Sequence, residues 1–361
     1  MNRRTILRSG GVVVGSLGLA GCTGLLETEQ RPTGRIPPIP ENRPDGVYIP
    51  SHVEGMDMSG MASEGDYKFG LMYSYAHRFW NVNADSVSLT EIEEGDDVHL
   101  MTVVWDPETN TVLPDTGLSV EISDDTGLVS EEAIYPMLSQ PMGFHYGANF
   151  GLNGEKTYTV KLSVGAMSTR RTGAFADRFA EPATVEVPFE YSESAKNEIM
   201  LKLMEERAAT AGAVDPMGME MMPSSAAPAE SELPGRVVGS SMSNDARLIA
   251  TVLDAPPAGI DGDGQYLAVS ARTRYNRMIL PAMALDGTVA RDGKTVFEGE
   301  LVRTLDPDLN YHYGAVVDSV ESGDELTLSV TTQPQTARHE GYETAFGGLK
   351  GEMPDVTITV E

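Results

Sequence analysis

His145-Tyr146-Gly147-Ala148 returns further along the chain as His312-Tyr313-Gly314-Ala315, at an offset of 167 residues. Leu113-Pro114 and Leu280-Pro281 stand at the same offset, and so do Gly95-Asp96 and Gly262-Asp263. Three coincidences at one register, with no gap, predict two copies of one unit, each about 125 residues and near ordinary domain size. The runs around them say what kind of unit. Val98 to Trp105, Leu118 to Ile122, Tyr158 to Val164 and Thr184 to Phe189 are short and strand-like, separated by Asn, Asp and Gly turns. Such spacing argues for an all-β sandwich. The expected architecture is all-β, two tandem immunoglobulin-like β-sandwiches.

The first sandwich is expected over residues 63–192 and the second over 237–361. Between them, in 193–236, Ser194 to Ala209 breaks the pattern. Ile199, Met200, Leu203 and Met204 fall at helical spacing and predict a short amphipathic helix. Thr210 to Pro234, rich in Met, Ala, Pro, Ser and Glu, reads as a flexible linker. Residues 22–62 are rich in Pro, Gly and polar residues without periodicity and read as a tether.

The N-terminus reads as an export signal over residues 1–21. Arg3-Arg4, followed by Thr5, Ile6, Leu7 and Arg8, is a twin-arginine pattern. The apolar stretch from Gly10 to Ala20 is too short to span a bilayer, which takes about 20 residues. Leu19-Ala20-Gly21-Cys22 resembles a lipobox, and Cys22 is the one cysteine in the chain. Lipidation of Cys22 would hold the protein to the outer face of the cytoplasmic membrane, at the cell surface. A single thiol also excludes an internal disulfide and a thiolate metal cluster.

Net charge is −28, from 26 Lys and Arg against 54 Asp and Glu, which disfavours nucleic acid as a partner. Acidic runs such as Glu91-Ile92-Glu93-Glu94-Gly95-Asp96-Asp97 read as a solvated face suited to high salt, where self-repulsion is screened. Cation sites are the sharper alternative. An acidic, lysine-poor chain resembles a halophilic archaeal surface.

Six histidines are present, with no G-x-S-x-G, H-E-x-x-H or phosphate-cradling glycine loop. No bond-making reaction is expected. Imidazole together with thioether suits copper, and imidazole alone also suits iron and zinc. His99 and Met101 are two apart, so on a strand they share a face. Met137 follows Pro136 at a strand end, and His145 opens a turn at Gly147. A site of His99, Met101, Met137 and His145 needs these strand ends to converge. The alternative is turn architecture, with Gly supplying an unusual backbone angle and His and Tyr bonded at the rim. His77, within Tyr75-Ala76-His77-Arg78-Phe79-Trp80, is placed on an aromatic strand, either packing or ligating. Met56, Met58 and Met61 after His52, and Met217, Met219, Met221 and Met222 in the linker, are either copper-collecting clusters or tolerant filler.

Tyr135-Pro136-Met137 followed by Gly143-Phe144-His145-Tyr146-Gly147-Ala148-Asn149 resembles the signature of the bacterial periplasmic iron-uptake proteins. That family consists of immunoglobulin-like sandwich dimers that bind copper or iron near a membrane iron permease. Val98-His99-Leu100 resembles the family's strand with a ligand histidine. The resemblance, over roughly residues 70–190, implies His99, Met137 and His145 as ligands of a copper or iron ion. It departs at Met101, where the family has Glu, and in the spacing from Met137 to His145, which is one residue longer. Met142 is therefore a second candidate for the Met137 role. The family's further histidine falls where this chain has Ser168 to Arg171. In the second copy Tyr266 replaces His99 and Thr304 replaces Met137, so no complete site is expected there. His339 sits near the equivalent of Arg171, and pairing of the two domains within the chain would bring it toward the first site. The function expected is an extracytoplasmic, lipid-anchored protein that holds copper or iron, or delivers it to a metal permease. Its ligands would be drawn from His99, Met137 and His145, with Met101, Met142 and His77 secondary. The alternative is a surface scaffold or adhesion lipoprotein that has lost the metal.

Overall fold

Alternating side chains form strands wherever one face finds a partner to cover it. In the computed structural model, which describes residues 36–218, 221–350 and 352–361, nearly all the regular structure is strand. The twin-arginine stretch, the lipobox with Cys22, and Met219 lie outside the described residues. In chain order come β1 (His52–Glu54), β2 (Asp57–Glu64), β3 (Tyr67–Ser74), β4 (Phe79–Asn83), β5 (Ser86–Thr90), β6 (Val98–Trp105) and β7 (Ser119–Asp124). Next are β8 (Gly127–Ala133), β9 (Tyr135–Ser139), β10 (Gly143–Phe150), β11 (Lys156–Val164), β12 (Arg170–Arg171) and β13 (Ala183–Tyr191). A helix, α1 (Glu193–Glu198), precedes β14 (Leu201–Leu203), β15 (Arg236–Ser243), β16 (Ala246–Leu253), β17 (Gln265–Thr273) and β18 (Ala284–Arg291). The last are β19 (Lys294–Glu300), β20 (Val302–Asp306), β21 (Asn310–Val317), β22 (Glu325–Thr332), β23 (Ala337–Arg338) and β24 (Val356–Thr359).

The sheets repeat one plan. The order β2-β3-β6-β10-β9-β23 matches β15-β16-β17-β21-β20-β12, and β13-β11-β7-β8 matches β24-β22-β18-β19. The register repeats too: Tyr146 lies opposite Thr102, and Tyr313 opposite Val269, each pair displaced by the offset of the sequence repeat. Inward side chains of both layers, among them Leu100, Val120, Ile122, Val160, Leu162 and Phe189, are sealed from water in one hydrophobic cluster. Each such burial stabilises by roughly 1.5–3 kcal/mol. The tyrosines of the repeated motif brace the layers alike. The Thr116 amide donates to the Tyr146 hydroxyl oxygen at 2.9 Å, and the Met283 amide donates to that of Tyr313 at 3.1 Å.

The two sets of strands trade a short segment. β12 leaves the first set and runs parallel to β20, with Arg170 beside Thr304. β23 leaves the second set and runs parallel to β9, with Ala337 beside Met137, while its other edge pairs with β4. The eight-stranded sheet β2-β3-β6-β10-β9-β23-β4-β5 is continuous only because β23 fills the gap.

Three sequence expectations are corrected. The amphipathic helix over Ser194 to Ala209 is one short helix, Glu193–Glu198, capped by Ser192. Beyond it Leu201–Leu203 pairs with His52–Glu54 as a two-stranded ribbon, and Met204 packs on Ile49 and Val214. A helix this short has little stability of its own, so tertiary pairing overrides its periodicity. The tether ends earlier than residue 62: Val47, Tyr48 and Ile49 are buried, and β2 extends the large sheet beside β3. β2 is an edge strand whose Met58 and Ala62 are only partly buried against the core, which leaves no clean apolar alternation to read. The linker is pinned rather than free. The Val214 amide donates to Gln140 Oε1 at 2.8 Å, the Met217 amide to the Pro141 carbonyl at 2.8 Å, and the Phe144 amide to Ser225 Oγ at 2.6 Å. Met222 is buried with its sulfur over Gly70, so it packs; Met221 is exposed.

Candidate metal centre

Strand alternation places His99 and Met101 on one face of β6, and His145, Gly147 and Asn149 on one face of β10. The antiparallel register sets Asn149 opposite His99 and Gly147 opposite Met101. On the other side of β10, His145 lies opposite Met137. Directly opposed residues share a face of the sheet, so the convergence needed by the sequence reading is met for His99, Met137 and His145. His77 is not on a strand; it lies between β3 and β4, where Asn149 bonds its backbone. The Asn149 side-chain oxygen accepts from the His77 amide at 3.3 Å, and its amide group donates to the His77 carbonyl at 3.0 Å. The fourth imidazole is His339, carried in by β23, whose amide donates to the Leu138 carbonyl at 3.0 Å. Ring centroids are 3.9 Å apart for His77 and His99, 4.7 Å for His77 and His339, and 5.1 Å for His145 and His339.

The hydrogen bonds fix which nitrogen faces inward. His99 Nδ1 donates to Asn149 Oδ1 at 2.7 Å, and His145 Nδ1 to the Gly143 carbonyl at 3.1 Å. His77 Nδ1 donates to the Tyr75 carbonyl at 3.1 Å and lies 3.4 Å from a Glu54 carboxylate oxygen. A carbonyl oxygen can only accept, so these rings carry hydrogen on Nδ1, which in a neutral ring leaves the lone pair on Nε2. Among the described residues the Nε2 atoms of His77, His99, His145 and His339 are all buried and without a hydrogen-bond partner. Orphaned buried nitrogens are uncommon, and four in one cluster call for a missing electrophile. One ligand nitrogen from each of His77, His99 and His339 falls within 4.8 Å of the other two.

Gly147 completes the cradle, and not as a turn: it is mid-strand in β10. A Cβ there would stand 2.6 Å from His99 Nε2 and 3.1 Å from Met137 Sδ. The bare backbone leaves that volume open, with an imidazole nitrogen and a thioether aimed at it. Burial depresses the basicity of the rings. His99 and His339 are held well below the usual histidine range, and His145 at about 4. Near neutral pH they are unprotonated, so an ion need displace no proton from them. The residues fit a metal that takes imidazole and thioether. Met101 and Met142 line a cavity of about 90 Å³ beside the cluster. Glu54 and the clamping role of Asn149 were not visible in the sequence.

The equivalent place in the second set of strands is closed. Tyr266 stands where His99 does, Thr304 where Met137 does, and Arg170 where Ala337 does. The Arg170 guanidinium donates to Thr304 Oγ1 at 2.8 Å, to the Tyr266 hydroxyl at 3.0 Å and to the Gly314 carbonyl at 2.7 Å. Tyr266 reaches His312 Nε2 at 3.0 Å, and His312 Nδ1 donates to the Asn310 carbonyl at 3.0 Å. Among the described residues no buried side-chain nitrogen or oxygen of Arg170, Tyr266, Thr304 or His312 lacks a partner, and the Tyr266 phenol, bonded to the Arg170 guanidinium, fills over Gly314 the volume left open over Gly147.

Residues 231–359 match a family model described as "Domain of unknown function (DUF7350)". No curated protein matches. Among solved structures, a copper-bound variant of FetP from uropathogenic Escherichia coli strain F11 is similar at 19% identity over 38% of this chain and 97% of that one, with a TM-score of 0.28. Copper-reconstituted P19 from Campylobacter jejuni is similar at 16% identity, over 39% of this chain and 96% of that one, with a TM-score of 0.28. Similarity of this extent assigns no cargo to the chain.

Proposed function

We propose that the chain is an extracytoplasmic metal-binding protein that holds one copper or iron ion at the strand-exchange seam. The carrying observation is the set of four buried, unpartnered Nε2 atoms grouped around the bare backbone of Gly147. His99, His145, His77 and His339 would supply nitrogen, and Met137 sulfur. Asn149, the Gly143 carbonyl and Glu54 hold the rings in the tautomer that presents Nε2, the outer-shell arrangement that metal-binding histidines need. Thioether with imidazole favours copper over harder divalent ions. The motif shared with the periplasmic iron-uptake family supports the same reading.

The finer parts of the proposal come from the sequence. The protein is two tandem sandwiches, exported through the twin-arginine leader, tied to the membrane by lipid on Cys22, and passing its ion to a permease. It catalyses no reaction. Calorimetric titration of the chain with Cu(I), Cu(II) and Fe²⁺ at high salt, beside the double variant His99→Ala and His145→Ala, tests the site. A tight ion that disappears in the double variant is expected. Undiminished tight binding by the variant overturns the assignment.

A further inference from the structure

The cavity of about 90 Å³ beside the histidine cluster has a donor set of its own. Met56, Met101 and Met142 bring three thioethers to its wall, and His52 and Glu54 bring an imidazole and a carboxylate. His77 and His339 separate it from the cluster, since they line the cavity and also belong to the four-ring group. The Glu54 carboxylate is only 9% exposed, and its Oε1 accepts no hydrogen bond. His52 Nε2 lies 3.7 Å from that atom, while Glu54 Oε2 sits 3.4 Å from His77 Nδ1. A buried carboxylate oxygen beside unbonded imidazole nitrogen is costly unless a cation shares it.

We propose that this cavity is a second, softer cation station, a Cu(I) anteroom formed by Met56, Met101, Met142, His52 and Glu54, from which an ion moves past His77 into the histidine cluster. The inference rests on the cluster being a metal site. Thioethers select Cu(I) over the hard cations that crowd an acidic surface at high salt. The sequence cluster that begins at His52 therefore splits in two. Met56 and Met58 both pack against the core, but only Met56 lines the cavity with His52, and Met61 is exposed.

The test is anaerobic titration with Cu(I) against a chromophoric Cu(I) chelator, on the full chain carrying Cys22→Ser so that the thiol does not compete. X-ray absorption of the loaded protein reports sulfur and nitrogen neighbours. The parent chain should take two ions. Met56→Leu with Met142→Leu, a swap that nearly conserves volume, should weaken the second at least tenfold and leave the first. His99→Ala with His145→Ala should lose the first and keep an ion with mainly sulfur scattering. A single ion in the parent, or a second ion unaffected by the methionine changes, overturns the anteroom. A first ion that survives the histidine changes overturns the cluster instead, so the two failures are told apart.

Discussion

Gly147 and His145 sit in one short motif yet do opposite work, one by offering a lone pair and the other by offering no side chain. Gly147→Ala should lower metal affinity at least tenfold, because the new methyl would stand 2.6 Å from His99 Nε2. Calorimetry should show that loss while the thermal midpoint of the metal-free protein moves by only a few degrees. Unchanged affinity would mean the ion is not held over Gly147. At this scale much of the site was legible. His99, Met137 and His145 follow from a strand with His99 and Met101 two apart and from a short motif. The purpose of Gly147 was not, since a glycine between His-Tyr and Ala reads as a turn until the opposite strand supplies His99. Asn149 is in the same motif, but what it holds is the His77 backbone, 72 residues away. His339 carries no motif around it, and only the strand exchange explains its place.

Among elements, β23 has two residues and a large effect. Arg338 is fully buried, and its guanidinium donates to Gln333 Oε1 at 2.8 Å and to the Phe346 carbonyl at 3.1 Å. Cutting it back orphans several buried acceptors, each costing about 1–3 kcal/mol. Arg338→Ala should therefore lower unfolding free energy by roughly 3 kcal/mol or more in denaturant titration. Metal affinity should fall with it, since His339 is the next residue. Arg338→Lys should not restore either, because an ammonium lacks the planar fork. A variant as stable as the parent would show that β23 does not hold the seam. Strand β6 was readable to the residue, as an apolar run interrupted only by His99 and Thr102. The exchanged segments were not, because two-residue strands have no periodicity and draw their partners from the other copy. The helix beyond Ser192 failed for a related reason: the partner of Leu201–Leu203 is His52–Glu54, far upstream.

For the molecule as a whole, buried neutral imidazoles link stability to pH. His312 remains unprotonated down to about 4 in the folded chain, first because it is buried, whereas its ordinary value is 6.5. Below pH 6.5 the unfolded chain binds the extra proton, so folding stability falls with pH across that window, by about 3 kcal/mol at most for one such group. His99, His145 and His339 push the same way in the metal-free protein. Urea unfolding at pH 7 and pH 4.5 should show a smaller drop for His312→Gln than for the parent; equal drops would place the acid sensitivity elsewhere. The closed twin of the metal centre has a further consequence, one of inheritance. In a symmetric pair of identical chains, any substitution is written twice, so a guanidinium that seals one site seals both. Here both sets of strands lie in one chain, so each seam has its own letters in the gene. One seam could then be handed over to Arg170 and structural permanence while its mirror image kept its histidines, a division of labour that no homodimer can acquire by a single mutation.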